Sequence, residues 1–363
     1  MYPFAVTYRF ERCRVVTVLL RADSNKLIGS GHVMRCAGLG LQLLLCGKSV
    51  HLVAAEISDS LVTWLKESGI GFSRLPMECI NNSELDSHYT LLVAENLGDV
   101  NVVVVDHYGL DGEWETVLRT NKRRIMVIDD LANRRHNCDI LLDTGLHSNQ
   151  TDRYLGLVSK STLLFLGPEY LLLRPEFNDI SLLRNRTGEI SKVLVYFGDG
   201  LMTDEIRKVS SALACSQLSD LETTIVLGRT GTSRELIDEI FRLHPAIHTI
   251  FSSNNFALLM QEADLAIGTC GISAWERCVL GLPAITVVAA DNQFDDAIHL
   301  DRLGAIKNLG RMSEVSEKMW KNAIIELVSD PVKVASMSRA GQSAVFNRGK
   351  SQFLLDEILN NGI

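Results

Sequence analysis

The chain predicts an α/β fold of two facing, Rossmann-like, doubly wound domains with a cleft between them. Three observations carry this. Short apolar runs alternate with amphipathic helical patterns. The alternation stops at a polar, proline-punctuated stretch near residue 180 and then restarts. The length, 363 residues, exceeds what one hydrophobic core usually holds. Residues 1–14 read as an N-terminal extension, 15–180 as the first domain and 181–363 as the second.

Val15–Leu20 is a β-branched and leucine run without charge, the mark of a buried strand. Val33, Ala37, Gly40, Leu41 and Leu44 then recur at helical spacing, which predicts a helix over 32–46. Val50–Ala54, Val102–Val105, Ile125–Ile128 and Ile140–Leu142 are further strands, with helices over 58–68 and 112–120. Gly167-Pro168, Arg174-Pro175 and the polar stretch 184–189 end this series. Val193–Phe197, Thr224–Leu227, Leu265–Ile267 and Ala284–Val288 resume it, and one or two helices over 334–358 close the chain. Parallel sheets of this kind bind ligands in crevices at the C-terminal ends of their strands. No internal sequence repeat is visible.

Hydrophobic residues make up 46% and charged residues 22%, an ordinary globular balance. The formal charge is −8 and no Lys/Arg run forms a basic stripe, which argues against a nucleic-acid partner. An anionic small molecule remains compatible, because helix N-termini bind anions locally. Eight cysteines without a C-x-x-C pair fit free thiols in a reducing cytoplasm. No apolar run reaches the roughly 18 residues of a membrane helix, so no membrane partner is expected. Val15–Leu20, preceded by Arg9, Glu11, Arg12 and Arg14, is too short for a signal peptide. Oligomeric state is not legible.

The stretch Arg21 to Cys36 carries the clearest site signal. It places Gly29, Gly31 and His32 where a strand ends and a helix begins. Glycines there let backbone amides approach a ligand, and the positive helix end suits a diphosphate. An imidazole is largely neutral at pH 7 and can act as a base on water, so His32 is the catalytic candidate. Arg21, Asp23 and Ser24 close the same strand; for Asp23 and Ser24, turn chemistry and substrate contact are equally open. Arg35, one turn along the helix, reads as the partner of a surface carboxylate. Val102–Val105 ends abruptly in Asp106-His107-Tyr108, which favours a substrate contact for Tyr108 and leaves Asp106 and His107 open between terminator and site. Asp129 and Asp130 read as capping residues. No metal-ligand spacing accompanies them.

The pattern R-x-D-S-x(4)-G-x-G-H-x-x-R-C resembles the opening of the UDP-2,4-diacetamido-2,4,6-trideoxy-β-L-altropyranose hydrolases of the pseudaminic acid pathway. Four further blocks in order carry the resemblance from about residue 15 to 310. They are 105–109, 128–134 with 138–142, 171–177, and 268–293. The resemblance implies a glycosyltransferase-B-like architecture, often with the last helix packed on the first domain. It also implies a UDP-sugar substrate, a water-activating His32, and neither metal nor other cofactor. Gly271, Ile272 and Ser273 would then present amides to the diphosphate, and Glu276 would accept the ribose hydroxyls. The spacing Glu276-x(4)-Gly281-x-Pro283 is similar to that of the peptidoglycan N-acetylglucosaminyltransferase. Asn292 and Gln293 would contact phosphate or sugar, and Gly228 would admit the uracil. One block departs: related sequences usually show Phe-Gly-Gly-x-Asp where this chain has Phe197-Gly198-Asp199-Gly200-Leu201. A UDP-sugar glycosyltransferase, a hydrolysing 2-epimerase and a silent nucleotide-sugar binding protein are the competing expectations.

Overall fold

The computed structural model describes residues 17–25, 28–119, 123–147, 149–150, 152–178, 183–198, 202–227, 234–243, 247–251, 256–345 and 350–360. The extension 1–14, the start of the first predicted strand, Asp199–Leu201 and Gly228 therefore lie outside the described residues.

The first half builds β1 (Thr17–Ala22), α1 (Gly31–Leu45), β2 (Ser49–Ala54), α2 (Asp59–Glu67), β3 (Gly71–Arg74), α3 (Ser83–Leu97), β4 (Val100–Asp106), α4 (Gly112–Leu118), β5 (Arg124–Ile128), β6 (Ile140–Asp143) and β7 (Leu163–Leu166). The second builds β8 (Lys192–Tyr196), α5 (Thr203–Leu213), β9 (Glu222–Leu227), α6 (Arg234–Leu243), β10 (Ile247–Phe251), α7 (Phe256–Glu262), β11 (Leu265–Thr269), α8 (Ile272–Val279), β12 (Ala284–Val288), α9 (Phe294–Arg302) and β13 (Ile306–Arg311). Helices α10 (Glu317–Val328), α11 (Pro331–Ala344) and α12 (Ser351–Asn360) follow. All strand pairs are parallel.

The sheets run β3-β2-β1-β4-β5-β6-β7 and β10-β9-β8-β11-β12-β13. In the first, the chain winds outward from β1 and then returns to lay β4 on β1's other side. In the second, β11 returns beside β8 in the same way. These reversals leave a crevice between the loops after β1 and β4, and another between those after β8 and β11. Both central pairs are buried on each face, which is why they read as uninterrupted apolar runs.

Seven elements had no sequence expectation: the strands β3, β7, β10 and β13 and the helices α3, α9 and α10. The four strands are sheet margins or short, partly exposed runs without the buried apolar signature. Helix α3 buries Asp86, Ser87 and Thr90 and so lacks an apolar stripe. Its Asp86 meets Arg21 and the Trp114 indole from below the sheet. Helix α12 turns back onto the first sheet. Leu354, Leu355 and Ile358 join Val18, Leu20 and Ile128 in one core, and Arg124 pairs with Glu357 at 2.9 Å. No described helix is long and apolar enough to cross a membrane.

The segment 171–177 links the halves and lies against α1, where Gly38 permits the approach. A Cβ there would stand 2.8 Å from the Leu172 carbonyl oxygen. Gly38→Ala is therefore expected to cost about 1–3 kcal/mol, the usual penalty for overpacking, despite alanine's better helix propensity. Urea unfolding checks it; a neutral or stabilising result contradicts the contact.

Candidate functional site

A cavity of about 380 Å³ opens at the C-terminal ends of both sheets and takes its walls from both halves. Gly31, His32, Arg35, Tyr108 and Asp130 line it from the first sheet. Gly271, Ile272, Ser273, Glu276, Asn292 and Gln293 line it from the second.

His32 is the second residue of α1, and Asp106 is the last residue of β4. Their proximity follows from β4 pairing beside β1, with Ala22 opposite Asp106. His32 Nδ1 stands 2.6 Å from Asp106 Oδ1. Arg35, one helical turn on, donates from Nε to Asp106 Oδ2 and from Nη2 to Oδ1, both at 2.7 Å. Burial favours the neutral acid, but the Arg35 guanidinium outweighs it and, with His32, holds the Asp106 carboxyl far below the usual carboxylate range. An ionised carboxylate only accepts, so Nδ1 carries a hydrogen; in the neutral tautomer of such a ring Nε2 is the nitrogen with the lone pair. The arrangement matches the orienting role of the carboxylate in Ser-His-Asp triads. Tyr108 packs edge-on against the His32 ring at 4.5 Å. Its hydroxyl donates to Asp130 Oδ2 at 3.3 Å and accepts from Asn292 at 2.8 Å, which bridges the two halves. Burial, reinforced by Asp130, keeps this phenol neutral.

On the opposite wall Gly271 is the N-cap of α8 and supplies no capping side chain. Ser30, before α1, supplies none either. Elsewhere, Ser58, Asn82, Asp111, Ser316 and Asp330 cap α2, α3, α4, α10 and α11. Helices α5 and α9 carry acids in their first turns. Among helices with described N-caps, only α1 and α8 have neither device, and both open onto the cavity. Glu276 is 5% exposed, and burial raises its pKa while Arg174 opposes the shift. Arg174 donates to Glu276 Oε1 at 3.2 Å and pairs with Glu176. Among the described residues no group of three or more His, Cys, Asp or Glu side chains is placed to hold a metal ion.

Some predicted contacts lie off the cavity wall. Arg21 is fully enclosed and spends its guanidinium on Asp23 and Asp86. Asp23 accepts in addition from the Ala55 and Glu56 amides. Neither residue lines the cavity, and these bonds tie both to partners within the protein, which counts against a substrate contact for Arg21 and takes the turn alternative for Asp23. Asp106 sits behind His32 rather than on the wall. His107 accepts from the Gly109 amide and faces Asp23. Asp129 is consumed by the Ala132 amide, Arg134 and Tyr154. Arg35 pairs inside the site, not at the surface; its three-residue spacing from His32 was the available signal. Arg174, Trp275, His147 and Asp296 also line the cavity; the first two fall within blocks that carry the resemblance but were given no site role, and no sequence signal marked the other two.

Asp296 accepts from the Leu146 amide at 2.8 Å and from the Trp275 indole at 3.1 Å. Burial pushes its carboxyl up to about 6. The folded state therefore holds this proton more tightly than the unfolded chain. Its contribution is fully present below about pH 4 and is lost as pH rises through about 6. Trp275 emission should titrate with a midpoint near 6, and Asp296→Asn should remove both that step and the loss of stability. A wild-type step that persists in the variant contradicts the assignment.

No family model matches the chain. Three curated proteins are similar to it. An uncharacterized protein of Methanocaldococcus jannaschii is 23% identical over 292 residues, 77% of this chain and 57% of that protein, so the chain spans little more than half its length. The spore coat polysaccharide biosynthesis protein SpsG of Bacillus subtilis is 22% identical over 330 residues, 90% of this chain and 94% of that one. The UDP-2,4-diacetamido-2,4,6-trideoxy-beta-L-altropyranose hydrolase of Campylobacter jejuni is 24% identical over 288 residues, 79% and 97% of the two chains. Among solved structures, Acinetobacter baumannii MurG superposes with a TM-score of 0.60 at 16% identity, covering 95% of this chain and 99% of that one. Phytolacca americana UGT2, complexed with UDP-2fluoro-glucose and pterostilbene, superposes with a TM-score of 0.65 at 13% identity, covering 95% and 98%. The chain thus resembles the UDP-diacetamido-trideoxy-altropyranose hydrolases in sequence and has the two-sheet glycosyltransferase-B-like fold.

Proposed function

We propose that the chain hydrolyses a UDP-linked deoxy-diacetamido sugar, UDP-2,4-diacetamido-2,4,6-trideoxy-β-L-altrose, to UDP and the free sugar. The reaction would belong to pseudaminic acid biosynthesis in the cytoplasm. The observation that carries the reading is the His32–Asp106–Arg35 relay facing, across one cavity, a helix N-terminus that no side chain caps.

In this mechanism Asp106 holds Nδ1–H of His32, and Nε2 takes a proton from water as the oxygen attacks the anomeric carbon. The bond from that carbon to the diphosphate oxygen breaks with its electron pair on UDP. The sugar leaves with inverted configuration, and the imidazolium returns its proton to solvent. The Ile272 and Ser273 amides at the start of α8 would take the developing phosphate charge. Glu276 would hold the ribose hydroxyls, with Arg174 favouring its ionised form. We assign 15–180 to the half carrying the base and 181–363 to the half holding UDP. The named hydrolase relative supports the reaction, and the UDP-sugar complex of a fold neighbour supports the ligand class. A glycosyltransferase is the competing reading, because the same base could serve an acceptor hydroxyl in place of water.

An NMR time course with that substrate tests the proposal. Wild type should release UDP and sugar without an added acceptor, unaffected by EDTA. His32→Asn and Asp106→Asn should each lower kcat about 10²–10⁴-fold, the range for a lost general base or a misdirected tautomer. Turnover retained by His32→Asn, or requiring an acceptor alcohol, overturns it.

A further inference from the structure

A buried guanidinium needs an opposite charge, and the fold normally supplies one. Arg21 faces Asp23 and Asp86, and Arg174 faces Glu176 and Glu276. Arg186 lacks a carboxylate but donates to the Met260, Gln261 and Ala263 carbonyls at the end of α7, where a helix dipole is negative. Arg277 has neither form of compensation. It is 2% exposed and forms no ion pair with a described residue. Its Nη2 donates to the Thr269 carbonyl, and its Nε is enclosed without an acceptor. Glu276 is the one carboxylate that bears on its charge, and that group is bonded to Arg174. Burial pulls the pKa of Arg277 below the ordinary arginine value, yet a guanidinium in a protein stays protonated.

The position of this charge matters more than its burial. Arg277 is the sixth residue of α8, and its side chain runs back toward the start of the helix. There it reaches Thr269, the last residue of β11, and a Cβ on Gly268 would stand 3.0 Å from Nη1. Thr269, Cys270 and Gly271 form the turn before α8, and all three line the cavity. The unmatched cation therefore lies behind the turn that opens an uncapped helix, beside the positive end of its dipole. Two positive features stacked at one cavity wall call for an anion in front of them.

We infer that Arg277 is a positioning residue for the nucleotide's diphosphate, its charge acting through the 269–271 turn to draw the anion onto the first turn of α8. The inference rests on the reading that α8 receives a diphosphate, but not on hydrolysis. Arg277 does not line the cavity, so its effect follows the charge of the ligand rather than its shape.

Calorimetric titration of wild type, Arg277→Met and Arg277→Lys with uridine, UMP and UDP tests it, with the thermal midpoint of each unliganded protein. Arg277→Met should weaken UDP about tenfold, the scale of one unit charge acting through a protein interior, weaken UMP less and leave uridine unchanged. Arg277→Lys keeps the charge and should recover most of the UDP affinity. Without ligand, Arg277→Met should melt no lower than wild type, because an apolar side chain there replaces an uncompensated charge. An unchanged ratio of UDP to uridine affinity in Arg277→Met overturns the inference. So does a parallel loss of both ligands with a lowered midpoint, or an Arg277→Lys variant as weak as Arg277→Met. A wild type that binds UDP no better than uridine overturns the diphosphate reading together with it. An enzyme that fails to hydrolyse yet shows the charge-dependent pattern would sink the hydrolase reading and keep this one.

Discussion

The buried carboxylate of Asp106 is the constraint around which the ends of the first sheet and the candidate site are arranged. It has no solvent exposure, and a charge in that position must be matched by hydrogen-bonded partners or it costs several kcal/mol. The partners both come from α1: Arg35 takes both oxygens and His32 approaches one of them. Because the two sit three residues apart on one helical face, satisfying the carboxylate also fixes the rotation of α1. That rotation sets the imidazole and the Gly31 end of the helix on the cavity wall. Electrostatic necessity in the fold and orientation of the imidazole are thus the same set of bonds.

Site residues differ from scaffold in whether their hydrogen-bonding capacity is already spent. Arg21, Asp23, Asp86 and Asp129 are polar and near the strand ends, yet their partners lie within the protein. Helices α1 and α8 retain uncapped first turns. The same accounting separates α8 from α10 and α11, whose Ser316 and Asp330 close their N-termini. A diphosphate would supply at α8 what those side chains supply elsewhere.

Much of this was legible in sequence because the signals are local. Val102–Val105 and Ala284–Val288 are buried on both faces and read directly as strands, and glycine turns before His32 and Ile272 mark helix starts. The marginal strands β3 and β13 were not legible, since a half-exposed edge has no apolar run. Helix α3 was hidden because its buried face is polar, its Asp86 serving Arg21 across 65 residues. The same long-range pairing with Asp86 holds Arg21, and Asp23 beside it, off the cavity wall. Arg35 shows the converse: spacing put it on His32's face, but only the β1–β4 pairing revealed Asp106 as its partner. The altered loop after Phe197-Gly198 lies outside the described residues, as does Gly228.

The central claim is that an imidazole oriented by a buried carboxylate drives water onto the sugar's anomeric carbon rather than onto phosphorus. Turnover in ¹⁸O-labelled water, with the mass of the released UDP read directly, tests it most plainly. The account predicts UDP without label and a first-formed free sugar of inverted anomeric configuration. Labelled UDP would mean attack at phosphorus and would contradict the role of His32 as the base for anomeric attack.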